Sequence, residues 1–362
     1  MNILFYTPVN FRCRDLESLA KKYMECGHQV FFLSQCERGP MHDVMDNLGI
    51  KTFASKEPKG AIFSQFIRLV RFSRQNKIDL LFSHLEPTNF VSVIAQFFIK
   101  SKVIIFRHHV NEARLYGFDK SFAYRLTYTL ARRIISVSEE GKRYMIDNEK
   151  IPERKVLHIN LGYDFSLYEN PNFKEVNRIR LAYKSELLLI SIGRLTEYKR
   201  HNLSIELVRQ ANLNELNASL IILGVGEQEN ELRNLVAEYS LQKNVFFLGY
   251  VQNILDYLAA ADFLIHPSIL ESSCVTVKEA GLVNLPVIIC DGVGDFNKYL
   301  KHEVNSIVLD PNNFVELALA QVKLFVKNPE YYKAMGVVLK SEILSRFSIE
   351  RTFHEYSGFT KN

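Results

Sequence analysis

The sequence predicts an α/β protein made of two Rossmann-like domains in tandem, each built on a doubly wound parallel sheet. Short apolar runs typical of buried strands alternate with helical stretches along the whole chain. At 362 residues the chain is too long for one ordinary core and suits two domains of about 150 to 200 residues each. An irregular stretch at 160–172 separates two series of strand-like runs.

The first series begins at the N-terminus. Residues 2–6 are a β-rich apolar run, and 15–26 predict a helix closed by Gly27. Residues 28–34 predict the second strand. Later runs predict further buried strands at 80–84, 103–107 and 133–138.

The second series follows the irregular stretch, in which Gly162, Asn170 and Pro171 are turn residues. We therefore expect a linker at about 166–172, an N-terminal domain over 1–165 and a C-terminal domain over 173–345. The strands predicted for the second domain are 187–192, 219–223, 245–248, 263–266, 287–290 and 306–309.

Cysteine usage and hydropathy indicate the compartment. The five cysteines are odd in number and show neither CxxC nor His/Cys metal spacing, which predicts reduced thiols in a cytosol and argues against zinc. They are Cys13, Cys26, Cys36, Cys274 and Cys290. The N-terminus does not resemble a signal peptide, and no apolar run approaches the roughly 20 residues that span a bilayer. We expect a cytoplasmic protein, either soluble or peripheral at the inner face of the membrane.

The charge of the chain is uneven. Residues 1–165 hold 25 Lys/Arg against 17 Asp/Glu, whereas the remainder holds 20 against 23. The basic half is expected to meet an anionic partner, unless it is merely a solvated surface. Because the sequence has neither the aromatic–basic motif of an RNA-binding fold nor a helix-turn-helix pattern, an acidic membrane surface or acceptor is favoured over nucleic acid.

Glu271 and Glu279, with seven residues between them, are the most informative pair. They follow a strand-like run at 261–268 and precede a Gly/Pro-punctuated segment at 281–289. A strand, a short loop and a helix that carries Glu279 put backbone N–H donors and a carboxylate beside one crevice, where a sugar nucleotide can lie. Glu271 can then face a sugar and Glu279 a ribose.

A set of motifs occurs around this pair, specific in its order and spacing. The second half contains Ser-Ile-Gly-Arg-Leu at 191–195 with Lys199, Gly-Val-Gly at 224–226, Asn-Val-Phe-Phe-Leu-Gly-Tyr at 244–250, and His-Pro-Ser at 266–268 before Glu271 and Glu279-Ala280. Softer matches in the first half are 27–30, 136–138 and 160–164. With these motifs the chain resembles glycosyltransferase family 4, whose members are retaining, nucleotide-sugar-dependent enzymes with the GT-B fold.

The resemblance implies a GT-B architecture, in which two Rossmann-like domains face a central cleft. It also implies that a C-terminal helix, here about 346–362, crosses back to the first domain. The C-terminal domain would bind the nucleotide sugar, and the N-terminal domain would form the acceptor side. The donor-binding residues implied are Gly193, Arg194, Lys199, Tyr250, Ser273, Cys274, Val275, Thr276 and Glu279.

Arg194 and Lys199 follow a strand's carboxyl end, where ligands bind in open α/β sheets. Two cations there suit a diphosphate that carries negative charge as it leaves, and the resemblance makes them a diphosphate clamp. A solvated charge pair is the alternative.

Glu279 can accept two hydrogen bonds from ribose hydroxyls, which is the role that the resemblance gives it. Cys274 and its neighbours would offer helix-start N–H groups to the phosphates, although the family often has glycine at this position.

The predicted catalytic residues are Glu271, His108, Arg194 and Lys199. By resemblance Glu271 lies beside the hydroxyls of the transferred sugar, and we favour positioning over a covalent glycosyl–glutamate, which stays the alternative. His108 ends the strand 103–107 and is the candidate to contact the donor sugar. His109 is the adjacent alternative, and a purely structural histidine is the plain one.

The loop 8–15 after the first strand lacks the glycine pair that is common in the family, so the acceptor is not carried over. The candidate acceptor residues are Asn10, Arg12, Arg14 and His109. The two loop arginines suit an acidic acceptor or a lipid phosphate, or are simply solvated. Because no Asp-x-Asp occurs in the sequence, a metal-held diphosphate has no ligand set. We expect neither a metal nor another cofactor.

Residues 62–74 combine helical apolar spacing with Arg68, Arg71 and Arg74. Such a helix suits an anionic membrane surface. It suits equally well a helix that packs its apolar face on the sheet and leaves its arginines in water.

Together with the resemblance, these residues predict a retaining glycosyltransferase that moves a sugar from a nucleoside diphosphate sugar to a glycan or lipid-linked envelope acceptor in polysaccharide biosynthesis. Two alternatives stay open. A nucleotide-sugar 2-epimerase of the same fold is disfavoured by the family-type glutamate pair. A non-catalytic, sugar-nucleotide-binding partner of a glycosyltransferase complex is disfavoured by the presence of Glu271, Glu279, Arg194 and Lys199 together.

Overall fold

The computed structural model describes residues 1–55, 61–110 and 118–360. The chain divides into two compact units. Unit 1 comprises Met1–Leu167 and Phe347–Asn362, and unit 2 comprises Tyr168–Arg346. Within the described ranges, every helix is too short or too polar to cross a bilayer.

Unit 1 is built on a seven-stranded parallel sheet in the order β3-β2-β1-β4-β5-β6-β7. The chain starts at β1 in the middle of the sheet, winds outward to β3, and returns to the other side of β1 for the remaining strands. The strands are β1 (Asn2–Thr7), β2 (Gln29–Ser34), β3 (Lys51–Phe53), β4 (Leu80–His84), β5 (Lys102–Arg107), β6 (Ile134–Ser136) and β7 (Val156–His158). This topology confirms the doubly wound fold predicted for the first half.

Helices connect the strands of unit 1. They are α1 (Arg14–Glu25), α2 (Pro40–Asn47), α3 (Ile62–Gln75), α4 (Thr88–Ala95), α5 (Phe118–Leu130) and α6 (Glu139–Asp147). Every residue of β4 is buried, because a central parallel strand has helices on both faces. A core cluster that includes Leu4, Leu81 and Ile105 joins the central strands to Leu69 of α3.

The C-terminal helix Ile349–Ser357 packs on unit 1, as the resemblance predicted; the last two residues of the predicted range, 361–362, lie outside the described residues. Tyr23 of α1 donates a hydrogen bond from its hydroxyl to the Tyr356 carbonyl at 2.8 Å. The Tyr23 ring also meets Phe353 edge-on at 4.9 Å. Backbone bonds between Tyr163 and both Phe347 and Ile349 hold the start of this helix. The helix therefore completes the first core although it is last in the chain.

Unit 2 is built on a six-stranded parallel sheet in the order β10-β9-β8-β11-β12-β13. The strands are β8 (Leu187–Ile192), β9 (Ala218–Leu223), β10 (Val245–Gly249), β11 (Phe263–His266), β12 (Val287–Cys290) and β13 (Ile307–Leu309). The helices are α7 (Phe173–Ala182), α8 (His201–Leu213), α9 (Glu229–Glu238), α10 (Ile254–Ala260), α11 (Val275–Leu282), α12 (Phe296–Tyr299), α13 (Phe314–Lys327) and α14 (Pro329–Phe347). β8 and β11 are buried along their whole length. The second predicted sheet is thus confirmed.

Candidate active site

The middle of the second sheet is the place where the chain reverses its winding. β8 and β11 are neighbours in the sheet, and β9 lies on the other side of β8. The loops that leave the carboxyl ends of β8 and β11 therefore diverge and open a crevice, which is where open α/β sheets bind ligands. Lys199 follows β8 and Glu271 follows β11, so the fold brings these two predicted residues to one crevice.

Glu271 is the centre of a buried cluster of charged groups. Lys199 Nζ lies 2.5 Å from Glu271 Oε1, and His266 Nε2 lies 2.7 Å from the same oxygen. The side chains of Glu271 and His266 are 9% and 3% exposed, and that of Lys199 is 15% exposed. Because Lys199 in the loop after β8 and His266 at the end of β11 both donate to one oxygen, the carboxylate is held in a fixed orientation.

The cluster also fixes its own protonation states. Burial alone raises the pKa of the Glu271 carboxyl, but the charges and hydrogen bonds of Lys199 and His266 outweigh burial and hold that pKa well below its ordinary value. Burial lowers the pKa of His266, whereas the negative charges of Cys274 and Glu271 raise it to about 9. Glu271 is therefore an ionised acceptor at neutral pH, and His266 is an imidazolium that donates to it.

The loop after Glu271 leads into α11. Cys274 is the N-cap residue, and its side chain makes no capping hydrogen bond to the residues that the structure describes. The first N–H groups of a helix have no intrahelical partner, so those of Val275 and Thr276 are left for a ligand. Ser273 is held in place because its Oγ accepts a hydrogen bond from the buried Lys278 Nζ at 2.9 Å.

Glu279 lies one turn further along α11 and is 9% exposed. A carboxylate at this depth needs partners, since burial of a lone charge is costly. Glu279 lies on the same helix as the uncapped N-terminus, and its predicted contact with the ribose stays a prediction.

Glycines allow the loops after β8 and β9 to come together. Gly193 and Gly224 have φ values of +153° and +138°, a conformation that L-residues with a side chain rarely adopt. A Cβ at Gly224 would lie 1.9 Å from the Gly193 carbonyl oxygen, and a Cβ at Gly226 would lie 2.3 Å from the Leu195 carbonyl oxygen. The glycines of the 224–226 motif thus serve backbone packing, as the sequence indicated, and shape the loop that carries Arg194.

Arg194 is exposed, but its backbone is fixed by a histidine that sequence reasoning did not single out. His201 Nε2 lies 3.2 Å from the Arg194 carbonyl oxygen, and His201 Nδ1 lies 2.9 Å from Ser191 Oγ. A carbonyl can only accept, so Nε2 carries the proton and Nδ1 accepts from the serine hydroxyl. Burial lowers the pKa of His201 to about 4, which keeps the ring neutral.

Arg200 is a second residue that the sequence did not reveal. It adopts a left-handed conformation with φ of +53° and joins three strand ends of the second sheet. Its guanidinium donates to the Pro267 carbonyl at 2.8 Å, to the Pro311 carbonyl at 3.1 Å and to Cys290 Sγ at 3.0 Å. Backbone acceptors leave no residue-type signature, so no spacing in the sequence could have revealed these contacts.

Tyr250 follows β10, the edge strand that β9 separates from β8. Its side chain is 76% exposed. Gly249, with φ of +65°, turns the chain just before it. The predicted contact of Tyr250 with the donor stays a prediction.

In unit 1, His108 pairs with another histidine at the carboxyl ends of adjacent strands. His84 Nδ1 lies 3.1 Å from His108 Nε2, and the His84 ring stacks on Phe106 at 4.0 Å. Burial lowers the pKa of His84 well below its ordinary value, and burial together with His109 lowers the pKa of His108 to about 3. Both rings are therefore neutral at physiological pH.

The pair also favours one tautomer. His84 Nε2 is buried and has no hydrogen-bond partner within the described part of the chain. An unpaired lone pair is tolerated better than an unpaired N–H, so His84 carries its proton on Nδ1 and donates it to His108 Nε2. His108 then keeps its own proton on Nδ1 and offers it as a donor.

Arg107, the last residue of β5, is 1% exposed and holds the chain on either side of His108 in place. Its guanidinium donates to both Glu149 carboxylate oxygens, at 3.2 and 2.8 Å. It also donates to the His109 carbonyl at 2.6 Å and to the Val110 carbonyl at 2.9 Å. The backbone of the predicted acceptor residue His109 is thereby fixed.

The loop after β1 holds its arginines in ion pairs. Arg12 donates to both carboxylate oxygens of Glu17, at 3.0 and 2.9 Å. Arg14 donates to Glu17 at 3.3 Å and to the Leu167 carbonyl at 2.9 Å. Asn10 donates from its amide to the Glu37 carbonyl at 3.0 Å. Glu17 thus offsets part of the positive charge on which the predicted acceptor role of this loop depends.

Two family sequence models match this chain, one in each unit. The family sequence model "Glycosyltransferase Family 4" matches residues 14–167, and the model "Glycosyl transferases group 1" matches residues 172–337. The chain belongs to glycosyltransferase family 4. The resemblance drawn from its motifs is confirmed.

Relatives of this family 4 glycosyltransferase include an uncharacterized glycosyltransferase of Methanocaldococcus jannaschii. That protein is 30% identical over 243 residues, which is 64% of this chain but only 60% of the relative. A UDP-Gal:alpha-D-GlcNAc-diphosphoundecaprenol alpha-1,3-galactosyltransferase of Escherichia coli is 22% identical and is matched over 86% of this chain and 84% of its own length.

Solved structures confirm the architecture of the glycosyltransferase. Anabaena HepE in complex with UDP-glucose superimposes with a TM-score of 0.86 over 99% of both chains, at 19% identity. WaaG, a glycosyltransferase involved in lipopolysaccharide biosynthesis, superimposes with a TM-score of 0.76 over 100% of both chains, at 15% identity. The fold is GT-B, as predicted.

Proposed function

We propose that this family 4 glycosyltransferase is a retaining enzyme that moves a sugar from a UDP-sugar to a lipid-linked envelope acceptor or a glycan. The observation that carries the proposal is the Lys199–Glu271–His266 cluster in the crevice beside the uncapped start of α11. An ionised carboxylate, cations and N–H donors together complement the sugar hydroxyls and the diphosphate of such a donor. The names of the E. coli relative and of the HepE complex support uridine as the base and a diphosphate-linked lipid as the acceptor.

The reaction breaks the bond between the anomeric carbon and the donor diphosphate, which leaves with the electron pair. The acceptor hydroxyl oxygen forms the new bond on the same face of the sugar, and its proton passes to the leaving diphosphate. Charge develops on the diphosphate during this step, so preorganised cations and helix-start N–H groups lower the barrier. Arg194 and Lys199 supply the cations, and the first turn of α11 supplies the N–H groups.

Glu271 positions the donor sugar in this proposal. Its carboxylate is stabilised by two cations, which makes it a weak nucleophile and a strong hydrogen-bond acceptor. Acceptance from sugar hydroxyls is the function that such a group performs best. A covalent glycosyl–glutamate would require the carboxylate to give up the stabilisation from Lys199 and His266.

Lys199 links the positioning of the sugar to the departure of the diphosphate. A lysine ammonium has three donors, and in this structure one of them is directed to Glu271 Oε1. A second donor can bind the diphosphate without loss of the first bond. The same side chain then orients the sugar and neutralises the leaving group.

Unit 1 supplies the acceptor side in this proposal, and its surface suits an anionic membrane. Arg74 donates to the Phe98 carbonyl at 2.8 Å, and Arg132 lies over the Phe97 ring at 5.8 Å. We call the exposed residues Arg71, Arg74, Phe97 and Phe98 the basic–aromatic patch. Arg68, which the sequence grouped with Arg71 and Arg74, is half-buried and donates to the Ala54 carbonyl, so it does not belong to this patch.

The proposal is tested by calorimetric binding of UDP, GDP and ADP, followed by hydrolysis and transfer assays with the matching sugar nucleotides. Glu279→Gln is expected to weaken binding of the preferred nucleotide by about 1.5–3 kcal/mol, the scale of a charged hydrogen bond. Glu229→Gln, which removes a surface ion pair with Arg233, is the matched control and should bind as the wild type does. Absence of binding to every nucleoside diphosphate would refute the proposed function.

A further inference from the structure

Three ligand atoms of different chemistry converge next to Lys199. The Cys274 thiol, the His266 imidazole and the Glu271 carboxylate each offer one atom, and these atoms lie within 4.8 Å of one another. His266 Nε2 is 2.7 Å from Glu271 Oε1 and 3.5 Å from Cys274 Sγ. The spacing in the sequence is not that of a zinc motif. The fold creates the cluster because the loop after β11 brings Glu271 and Cys274 back beside His266 at the end of that strand.

The geometry is close to that of a zinc site. Zinc binds thiolate sulfur at about 2.3 Å and imidazole nitrogen or carboxylate oxygen at about 2.0–2.2 Å, in a tetrahedral arrangement. Two such ligands are then about 3.4–3.6 Å apart. The distance between Cys274 Sγ and His266 Nε2 already has this value. The distance between His266 Nε2 and Glu271 Oε1 has to increase by less than about 1 Å, which a small rotation of the glutamate provides.

We propose that a thiophilic divalent cation, zinc above all, binds between Cys274, His266 and Glu271 and inhibits the enzyme reversibly. The cation binds Cys274 as a thiolate and His266 as a neutral imidazole, so that the protons these two groups hold are released, and it takes the place of Lys199 at Glu271 Oε1. A thiolate and a carboxylate together balance its two positive charges. Magnesium does not suit the site, because it prefers octahedral oxygen ligands.

The inference rests on the proposed function, since inhibition follows from the removal of Glu271 from the donor sugar. The fourth position of the metal remains open to water or to a phosphate oxygen. The metal is an inhibitor in this account and takes no part in sugar transfer.

The test uses the full chain without substrate. Titration with Co²⁺ is expected to release protons and to produce a sulfur-to-cobalt charge-transfer band in the near ultraviolet, and Zn²⁺ is expected to displace the cobalt and abolish the band. Cys274→Ser should lose the band and bind Zn²⁺ at least about tenfold more weakly, and His266→Gln should also weaken Zn²⁺ binding at least about tenfold. Cys26→Ser removes an exposed thiol of unit 1 and should behave as the wild type does.

A wild-type protein that takes up no cobalt, or a Cys274→Ser variant with a wild-type band, would overturn the inference. Circular dichroism of each variant separates loss of ligation from loss of folding. Because the band requires no donor, a protein that shows it but never binds nucleoside diphosphates would refute the proposed function and leave the metal site intact.

Discussion

The carboxylate of Glu271 owes its charge at this depth to Lys199 and His266, which share one of its oxygens. Two loops, one after β8 and one after β11, have to keep their register for this contact to form. A residue that lay only on the surface would not need such support. The same contacts therefore stabilise the crevice and set the charge of Glu271. Removal of Lys199 or His266 should lower both the stability of the fold and the rate of sugar transfer.

Lys199→Met is expected to lower kcat by about 10²–10³-fold, because a preorganised charge on the leaving group is lost, while donor affinity falls much less. The comparison is made by steady-state kinetics and calorimetry. Lys243→Met, which removes an exposed lysine of the same unit, is the control. A rise in KM with wild-type kcat would contradict the role in stabilising the transition state.

His84 and His108 give unit 1 a dependence on pH. Both have pKa values below the ordinary value of histidine, with His109 as the charged neighbour that acts on His108. The unfolded chain thus binds protons that the folded unit excludes, so stability is present above about pH 6.5 and is lost as pH falls toward 3.

We expect the free energy of unfolding to fall by up to about 1.4 kcal/mol per pH unit for each histidine in this range. Urea unfolding of the wild type and of a His108→Gln variant between pH 4 and 7 checks this, with the variant showing the shallower slope. Equal slopes would mean that His108 titrates normally.

At the residue scale the sequence singled out Lys199 and Glu271 but not the residues that hold them in place. Lys199 and Glu271 were identified by motif, and the structure brings them into contact. His266 was noted only as part of a motif, whereas Arg200 and His201 were not identified. These residues act on backbone carbonyls and on neighbouring side chains that only the fold brings near.

At the scale of elements, alternation of apolar runs predicted the central strands well, since buried parallel strands are uniformly apolar. β4, β8, β11 and β12 were predicted at their observed bounds. β3 and β7 are three-residue edge strands with at most one buried residue each, so neither forms an apolar run, and both were missed. β13 is an equally short edge strand, but two of its three residues are buried, and it was predicted. Local pattern carries little information for strands that form no apolar run.

The loops after β8 and β9 approach each other closely at Gly193 and Gly224. Gly224→Ala is expected to cost about 3 kcal/mol or more, because strain at its φ adds to a collision of Cβ with the Gly193 carbonyl. Gly292→Ala should cost only about 1 kcal/mol, since its φ is +68° and its Cβ would meet no described atom within 4 Å. Urea unfolding compares the two, and equal losses would show that backbone strain alone matters.

On the scale of the whole molecule, the excess of positive over negative charge lies in the first half of the chain. The fold places exposed arginines beside exposed phenylalanines in the basic–aromatic patch of unit 1. Cations near an anionic bilayer contribute up to about 1 kcal/mol each, and aromatic rings suit the interface. This combination favours the membrane over plain solvation as the explanation of the charge.

Arg71→Gln with Arg74→Gln is expected to weaken binding to vesicles that contain phosphatidylglycerol by about 2 kcal/mol, or roughly thirtyfold, and to leave nucleotide affinity unchanged. Arg178→Gln with Arg233→Gln, which removes exposed helix arginines from unit 2, is the control. Added salt should reproduce the effect, because charge screening acts beyond about 8–10 Å. Wild-type protein that fails to float with anionic vesicles at low salt would exclude membrane contact.

The most direct test of the proposed reaction uses an α-linked UDP-sugar as the donor. Proton NMR during the reaction measures the anomeric configuration of the sugar that the enzyme releases or transfers. The α-anomer is expected to appear first, and Glu271→Gln is expected to slow its appearance while the variant still binds UDP. First appearance of the β-anomer, or an unchanged rate in Glu271→Gln, would contradict retention at this cluster of charged groups.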